Sequence, residues 1–325
     1  MKCPYCKSEN TIKRGSSKSK NKQRYNCKKC NRWFSEKNSG AVVEIKEKIV
    51  NWRDLSKLAK EHQKVREVLG FSCTEATATI QPEKGKDGVV IFPWSDQHIG
   101  GEGVDYDRLE EITEYIKQKN IYVIMGGDEA EFFLSNFKNA TALFSQMLNP
   151  EEQIAFVESW FNELEPWIVS LGWGNHVENR LESLLGINFY GKIKSRIAPY
   201  FNGIGKLNLS VGDQPYSVVL THKGLARSKY NPNYGAFDLA RNKIDADIFV
   251  TAHYHEPAFS NFLIRNKPTV AIQCGTLNVN DDYSQRGFRF GQSSSSSPAL
   301  FLSSKKRLII PFEHIEDAIR FRDLK

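Results

Sequence analysis

Five short stretches of the chain combine carboxylate, amide and imidazole side chains in spacings that suit the binding of metal ions. They are Asp96-Gln97-His98, Gly127-Asp128, Gly174-Asn175-His176, His222 and His253-Tyr254-His255. Five of the seven histidines of the chain lie in these stretches. A single Asp-x-His triplet is common in polar loops, so the hypothesis of a metal site depends on the whole set.

The first stretch follows the apolar run Val89-Val90-Ile91-Phe92, which predicts a buried β-strand. Side chains alternate along a strand, so Asp96 and His98 leave its end on the same side and can reach one ion. Because ligands bind at the carboxyl ends of the strands in open α/β sheets, the sequence predicts a site at such an edge. Carboxylate and imidazole ligands without a thiolate suit Mn, Fe, Zn or Co.

A second set of residues with metal chemistry lies at the start of the chain. Cys3 and Cys6 form one Cys-x-x-Cys motif, and Cys27 and Cys30 form another. Four thiolates can hold one Zn²⁺ tetrahedrally, and a segment this small needs the metal to fold. The alternative, a redox site, predicts one motif beside a βαβ pattern, whereas two motifs without that pattern occur here. We therefore expect a structural zinc site.

The elements that must position the five stretches follow from the apolar periodicity. From residue 88 onward predicted strands and helices alternate, which is typical of an α/β fold. Strands are predicted at 89–94, 121–125, 167–171, 206–211, 216–221, 247–251, 268–273 and near 299–310. Helices are predicted near 107–119, 139–147, 151–165 and 235–243. The five stretches come directly after five of these strands, so we expect them at strand ends.

The segment before the large domain contains apolar residues at helical spacing within 41–51 and 54–69. These residues predict two short helices, which either pack on the main domain or form a helix-turn-helix that reads DNA. We therefore expect three parts. They are a zinc ribbon at 1–39, a helical connector at 40–87 and the large domain at 88–325.

The chain has 40% apolar and 26% charged residues, which is typical of a globular protein. It contains no apolar run long enough to cross a membrane and no signal-peptide core, so we expect a cytoplasmic protein without a membrane partner.

The positive charge of the chain is concentrated at its start. Residues 1–39 hold twelve lysines and arginines and two glutamates, a net charge of +10, so the rest of the chain, whose total is +7, carries −3. The basic segment indicates a polyanionic partner or a solvated face.

Taken in order, the five stretches resemble the motifs of the calcineurin-like metallophosphoesterases. The resemblance covers most of the chain after residue 88, and it implies a four-layer αββα sandwich that holds two divalent ions, Mn, Fe or Zn. Asp128 would bridge the two ions. The remaining ligands would be Asp96, His98 and His255 for one ion, and Asn175, His222 and His253 for the other. His176 would be the catalytic residue that protonates the leaving oxygen or steadies the transition state.

The chain departs from the family pattern in three places, one of which is Lys223-Gly224 after His222, where the family has glycine directly. The family usually has an acidic residue directly after the Asn-His pair, whereas Val177 stands there and Glu178 comes one residue later. The last motif usually begins Gly-His, and this chain has Ala252 before His253. The departure at Val177 leaves open which residue tunes His176.

The substrate is less well determined. Protein phosphatases of the superfamily carry an Asp-Arg-Gly sequence after the second motif, and the segment after Asp128 lacks it, which argues against a phosphoprotein. The cysteine segment resembles the zinc ribbons of insertion-sequence transposase proteins, which implies contact with nucleic acid. Its aromatic residues Tyr25, Trp33 and Phe34 would either pack the small core or stack on bases.

These observations favour a metal-dependent phosphodiesterase or nuclease that acts on DNA or RNA, similar to repair nucleases and phage-encoded phosphoesterases. Two alternatives stay open at this point. One is a phosphoesterase for small molecules. The other is a nucleic-acid-binding protein with a weakly active phosphoesterase scaffold. The sequence does not determine the oligomeric state.

Overall fold

The structure is a computed structural model of the 325-residue chain. It describes residues 1–17, 22–35, 52–53, 56–61, 74–133, 146–182, 188–228, 230–241, 244–279 and 296–325. The chain divides into two compact units, Met1–Val65 and Arg66–Lys325. No helix in the described ranges is long and apolar enough to cross a membrane.

The first unit contains a three-stranded antiparallel sheet, with Cys3 and Cys6 before its first strand, Cys27 at the end of its second strand and Cys30 in the turn that follows. Its strands are β1 (Thr11–Ser17), β2 (Lys22–Cys27) and β3 (Trp33–Ser35). Tyr25 and Phe34 form a pair across β2 and β3, and their rings stack with centroids 5.6 Å apart. Trp33 is 52% exposed. Of the two roles considered for these aromatics, packing of the ribbon therefore applies to Tyr25 and Phe34, whereas the side chain of Trp33 lies at the surface.

The predicted connector helices lie mostly outside the described residues. Residues 52–53 and 56–61 are helical. The second unit already begins its sheet at β4 (Glu75–Ile80), a strand within the range that the sequence analysis assigned to the connector. Its Glu75–Ile80 backbone pairs in parallel with the strand at 205–211, so the sheet starts before the expected boundary at residue 88.

The first sheet of the large unit has the order β15-β14-β5-β6-β7-β8. Its strands are β5 (Gly88–Trp94), β6 (Tyr122–Met125), β7 (Ile168–Gly172), β8 (Tyr200–Phe201), β14 (Ala299–Ser303) and β15 (Ile309–Phe312). The strands from β5 to β8 run parallel. All seven residues of β5 are buried, as expected of a parallel strand covered on both faces.

The second sheet has the order β12-β13-β11-β10-β9-β4. Its further strands are β9 (Gly205–Val211), β10 (Gln214–Leu220), β11 (Ile248–Thr251), β12 (Ala258–Ile264) and β13 (Lys267–Gln273). The central strands β10, β11 and β13 run parallel to one another. Each of the two sheets therefore has an edge at which the carboxyl ends of several parallel strands lie side by side.

Five helices accompany the two sheets in the described part of the chain. They are α1 (Tyr106–Lys119), α2 (Pro150–Leu164), α3 (Phe189–Ile197), α4 (Tyr234–Arg241) and α5 (Ile315–Asp323). Asp105 caps α1 by accepting a hydrogen bond from the backbone N–H of Arg108. A capping box between Asn149 and Glu152 begins α2. The caps fix where both helices start.

Three groups of buried apolar residues define the layers. One lies between the two sheets and includes Ile91 and Val250. A second joins the outer face of the first sheet to the helices α1, α2, α3 and α5, and includes Phe92 and Ile112. The third joins the outer face of the second sheet to α4. The order is helix, sheet, sheet, helix, and this confirms the predicted α/β fold with four αββα layers.

Some elements differ from the prediction for local reasons. The predicted helix at 139–147 lies outside the described residues except for its last two positions, which are not helical. Strand β12 alternates between half-buried and exposed residues at the sheet edge, so it lacks the apolar run of the central strands. Helix α3 has lysine and arginine among its few apolar residues, and its burial depends on partners elsewhere in the fold.

Candidate metal centre

The five stretches lie at the carboxyl ends of strands in both sheets. The loops after β5, β6 and β7 come from the first sheet, and those after β10 and β11 come from the second. Three overlapping groups of ligand atoms result, each with all its atoms within 4.8 Å of one another. The groups are Asp96, His98 and His255; His98, Asp128 and His176; and Asp128, His222 and His253.

Five of the seven predicted ligands of this centre have left-handed backbone conformations. The φ angles are 57° for Asp96, 53° for His98, 54° for Asp128, 75° for His253 and 62° for His255. Residues other than glycine adopt positive φ at a cost, and such residues concentrate at functional sites. The loops therefore hold these side chains in directions that regular strand ends would not give.

Glycines allow the loops after β6 and β7 to approach each other closely. Gly127 has a φ of 99°, and a Cβ there would collide with the backbone of Trp173. A Cβ on Gly174 would collide with Asp128. Side chains at either glycine would separate the loops that carry Asp128 and Asn175.

The first group brings together one carboxylate and two imidazoles. The Nε2 atoms of His98 and His255 lie 3.1 Å apart. Oδ1 of Asp96 lies 3.3 Å from Nε2 of His255 and 3.7 Å from Nε2 of His98. Atoms that share one ion at about 2.1 Å are expected about 3.0–3.4 Å apart. The two separations that involve His255 lie in this range, and the separation between Asp96 and His98 is slightly longer.

The third group, Asp128, His222 and His253, surrounds the ring of His222. Its Nε2 atom lies 2.9 Å from Oδ2 of Asp128 and 3.0 Å from Oδ1 of Asn175. The ring of His253 packs against that of His222 with centroids 5.2 Å apart. Asn175 thus joins the centre through its amide oxygen. Every residue that the sequence analysis named for the two ions lies here, and their binding of metal stays a prediction.

Two buried carboxylate oxygens provide the test of whether this donor set fits metal ions. Oδ1 of Asp96 and Oδ2 of Asp128 accept no well-aligned hydrogen bond from the residues that the structure describes. The opposite oxygens are satisfied, because Oδ2 of Asp96 accepts from the N–H of His253 and Oδ1 of Asp128 accepts from that of His176. A buried carboxylate oxygen without a donor is costly, and a divalent ion would satisfy both oxygens.

Outer partners fix the orientation of two of the imidazoles. Nδ1 of His98 lies 2.7 Å from Oε2 of Glu131. Nδ1 of His222 lies 3.0 Å from the carbonyl oxygen of Gly126, which can only accept. The ring of His222 therefore carries a proton on Nδ1 and turns Nε2 toward the centre, and the ring of His98 lies beside a carboxylate without an aligned hydrogen bond between the two. Such partners are usual for histidines that bind metal.

The clustered charges shift the pKa values of these histidines. Burial alone would lower the pKa of His98, but the carboxylates of Glu131 and Asp96 outweigh it and raise the pKa to about 10. Burial likewise opposes the carboxylates of Asp128 and Asp96 at His222, whose pKa is raised to about 9. The protein alone thus surrounds these rings with negative charge, which equally favours a cation between them.

His176 lies beside the centre and is held by two groups. Its Nδ1 atom is 2.6 Å from the carbonyl oxygen of Glu131, to which it donates. The Nη2 atom of Arg180 donates to its Nε2 atom over 3.0 Å. Burial lowers the pKa of His176 to about 4. The departure at Val177 left open which residue tunes His176. In this structure Glu131 and Arg180 hydrogen-bond to its ring.

The acidic residue that follows Val177 does not face His176. Instead, Oε1 of Glu178 lies 2.9 Å from Nζ of Lys194, and Oε2 of Glu129 lies 2.8 Å from the same atom. Lys194 is fully buried, and it also donates to the carbonyl oxygen of Gly172 at the end of β7. One lysine thus links the loops after β6 and β7 behind the metal centre.

Burial and the neighbouring charge of Glu129 raise the pKa of Glu178 to about 7, against the opposing effect of Lys194. The hydroxyl groups of Tyr190 and Tyr200 donate to Glu129 and Glu178 over 3.2 and 3.4 Å. The lysine and the two tyrosines thus satisfy one oxygen of each carboxylate, whereas Oε1 of Glu129 and Oε2 of Glu178 accept no hydrogen bond from the described residues.

The four cysteines of the ribbon also converge. Sγ of Cys3 lies 3.6 Å from Sγ of Cys30, and Sγ of Cys6 lies 3.5 Å from Sγ of Cys27. All four sulfur atoms lie within 4.8 Å of one another. Four sulfurs at about 2.3 Å from one zinc ion are expected about 3.8 Å apart. The cluster therefore fits the predicted structural zinc.

No known protein-family model matches the chain, and no curated protein matches its sequence. Solved structures give weak similarity. The phosphoesterase YfcE from E. coli is 14% identical over 69% of this chain and 99% of its own, with a TM-score of 0.37. A Sphaerobacter thermophilus metallophosphoesterase is 12% identical over 72% of this chain and 92% of its own, with a TM-score of 0.32.

A third structure is GAP50 of Plasmodium, described as the anchor in the inner membrane complex. It is 11% identical over 70% of this chain and 89% of its own, with a TM-score of 0.33. At this level the similarities concern overall structure only and do not bear on the activity of the chain.

Sequence reasoning missed three residues that hold the centre in place, namely Glu131, Arg180 and Lys194. Glu131 lies in the polar stretch after β6, and its position three residues beyond Asp128 was a usable signal. Arg180 belongs to a short helical turn at Glu178–Glu182. Lys194 lies on α3, which the periodicity did not predict, and nothing in the sequence marks it as buried.

Proposed function

We propose that this chain is a two-metal phosphoester hydrolase that acts as a phosphodiesterase or nuclease on DNA or RNA. The observation that carries the proposal is the position of the Asp128 carboxylate, which groups with His98, a predicted ligand of one ion, and also with His222 and His253, predicted ligands of the other. A residue shared in this way is what a pair of ions bridged by one carboxylate requires. Asp96, His98 and His255 would hold one ion, and Asn175, His222 and His253 the other.

Divalent ions bound there would supply Lewis-acid polarisation of the phosphoryl group and activation of water. The protein's own contribution is to fix the ligands and to place His176. The rings of His98 and His176 lie 4.5 Å apart, so His176 borders the centre without being needed as a ligand. Its Nε2 atom accepts a hydrogen bond from Arg180 in this structure, and it would release that hydrogen bond to meet the leaving oxygen of the substrate.

A polymeric substrate is supported by the basic ribbon, since a cationic segment on an enzyme that acts on phosphodiesters favours nucleic acid over a neutral partner. The guanidinium group of Arg180, beside His176, adds a cation at the border of the centre. The metal identity that we propose is Mn, Fe or Zn, because the donors are carboxylate, amide and imidazole.

The test is hydrolysis by the full chain, supplied with Mn²⁺, of single-stranded DNA, duplex DNA, RNA and an aryl phosphodiester. The proposal expects cleavage of at least one polymer and of the aryl ester, and loss of both in Asp128→Ala. Cleavage of the aryl ester alone would favour a small-molecule phosphoesterase. Binding of polymer without cleavage of any ester would favour a nucleic-acid-binding protein with a weakly active scaffold.

A further inference from the structure

The ribbon sheet has two faces with different aromatic residues. Tyr25 and Phe34 are directly opposite on β2 and β3, and the next pair is Asn26 with Trp33. Because side chains alternate along strands, Trp33 projects from the face opposite to the Tyr25–Phe34 stack. Tyr25 is 5% exposed, whereas Trp33 is 52% exposed. The core of the ribbon is therefore built without Trp33.

The exposed tryptophan has an arginine beside it. The guanidinium carbon of Arg24 lies 5.6 Å from the centre of the Trp33 ring. A second pair also joins an arginine to an exposed aromatic ring. The guanidinium carbon of Arg32 lies 5.2 Å from the ring centre of Tyr5, which is 56% exposed. Large aromatic side chains at the surface of so small a segment leave apolar area in water, which is unfavourable unless a partner covers it.

The surroundings of both pairs are strongly cationic. Eight lysine and arginine residues of the described ribbon are exposed: Lys2, Lys7, Lys13, Arg14, Arg24, Lys28, Lys29 and Arg32. Glu9 is the single acidic residue in the described range 1–35, and it pairs with Lys2 over 3.2 Å. A partner for this surface must be anionic, and it must also offer flat apolar faces to the aromatic rings.

We infer that the ribbon binds single-stranded nucleic acid, with one base stacked on Trp33 and an adjacent phosphate on Arg24. The Tyr5 and Arg32 pair takes a second nucleotide in the same way. Base stacking on aromatic side chains next to cationic groups is how proteins bind single strands without sequence preference. In a duplex the faces of the bases are stacked on one another, so an indole on a sheet surface cannot reach them.

This inference rests on the proposed function only for the class of partner, which is nucleic acid. It adds that the nucleic acid is single-stranded and names the residues that contact it.

The experiment measures binding of a labelled oligothymidylate, of a sugar-phosphate oligomer of equal length without bases, and of a duplex. The full chain carries His176→Ala so that the oligomers stay intact, and zinc content is measured for every variant.

Trp33→Ala is expected to weaken binding of oligothymidylate about 5- to 150-fold, the usual effect of losing one stacked base. Binding of the oligomer without bases should change less than about twofold, because only phosphates contact it. Trp33→Phe should restore most of the affinity for oligothymidylate. Trp52→Ala is the matched control, because Trp52 is also exposed and has Arg53 beside its ring, and it should bind like the parent.

Three results would overturn the inference while zinc content stays at one ion per ribbon. They are an unchanged affinity in Trp33→Ala, an equal loss for the oligomer without bases, and an equal loss in Trp52→Ala. Hydrolysis is measured separately with the chain that keeps His176. A chain that binds single strands through Trp33 but cuts no polymer would contradict the proposed nuclease and leave the binding inference standing. A chain that cuts a polymer but binds single strands equally well without Trp33 would support the nuclease and overturn the binding inference.

Discussion

The Nζ atom of Lys194 lies 2.8 Å from Oε2 of Glu129, and neither side chain is exposed to solvent. Glu129 directly follows Asp128 in the chain. Lys194 makes its second ion pair with Glu178, two residues after His176. A buried charge stabilises a fold only when its partners are present, so one lysine holds both loops that carry the central residues of the candidate site.

The first prediction concerns this lysine. Lys194→Met leaves two buried carboxylates without a cation, so the free energy of unfolding should fall by about 3–5 kcal/mol at pH 7. Chemical denaturation followed by far-UV circular dichroism measures the change. Lys192→Met, at an exposed position of the same helix, should stay within about 0.5 kcal/mol of the wild type. Equal stability of the Lys194 variant and wild type would show that the network contributes nothing.

The second prediction concerns the outer partner of His98. Glu131→Gln keeps the shape of the side chain but removes the charge next to Nδ1 of His98. The affinity for Mn²⁺ should fall about 10- to 100-fold, as is usual when such a partner of a ligand is lost. Calorimetric titration of the full chain measures the affinity. Glu111→Gln, on the exposed side of α1, should not alter it, and an unchanged affinity in Glu131→Gln would argue against His98 as a ligand.

The third prediction separates binding of metal from turnover. Asp128→Ala removes the carboxylate shared by two ligand groups, so bound metal and hydrolysis should both be lost. His176→Ala should keep the metal and lower kcat about 10²- to 10⁴-fold, the usual contribution of a group that transfers a proton. Metal content and hydrolysis of an aryl phosphodiester are measured on the same preparations. Full turnover in either variant would refute the role given to that residue.

The fourth prediction is a pH dependence at Asp247, which directly precedes β11. Burial would raise the pKa of Asp247, but hydrogen bonds from Ser217 and Arg307 outweigh it and lower the pKa. A carboxyl group with a lowered pKa in the folded state stabilises the protein above about pH 3.9, the unfolded value, and this stabilisation is lost as the pH falls below it.

Asp247→Asn should therefore lower the free energy of unfolding by about 1–3 kcal/mol at pH 7. The difference from wild type should shrink as the pH falls below about 3.9. Denaturation curves across that range measure it, with Asp213→Asn at an exposed turn as the control. A difference that stays constant with pH would contradict the ionic origin of the effect.

The fifth prediction concerns the ribbon. Cys27→Ser removes one of four converging sulfur atoms, so zinc bound by the ribbon should be lost and its sheet should unfold. Hydrolysis of an aryl phosphodiester should change less than about twofold, since the ligands of the candidate centre all belong to the second unit. Zinc analysis and the hydrolysis assay are run together, and a collapse of hydrolysis would show that the two units depend on each other.

Much of the large unit could be predicted because its central strands are apolar runs that end in polar loops. The strands before Asp96, Asp128 and Asn175 all form close to the predicted positions. Elements whose burial depends on partners were missed. Strand β4 and helix α3 have mixed composition, and their places in the fold depend on β9 and on Glu129 and Glu178.

The sequence by itself determined the types and spacing of the candidate ligands, the α/β fold and the two Cys-x-x-Cys motifs, because these follow from local periodicity and from donor chemistry. Only the tertiary structure decided which ligands meet. His222 and His253 reach Asp128 because two sheets bring the ends of their strands together. It also decided that Glu131, Arg180 and Lys194 support them, since burial and contact between distant residues leave no local pattern.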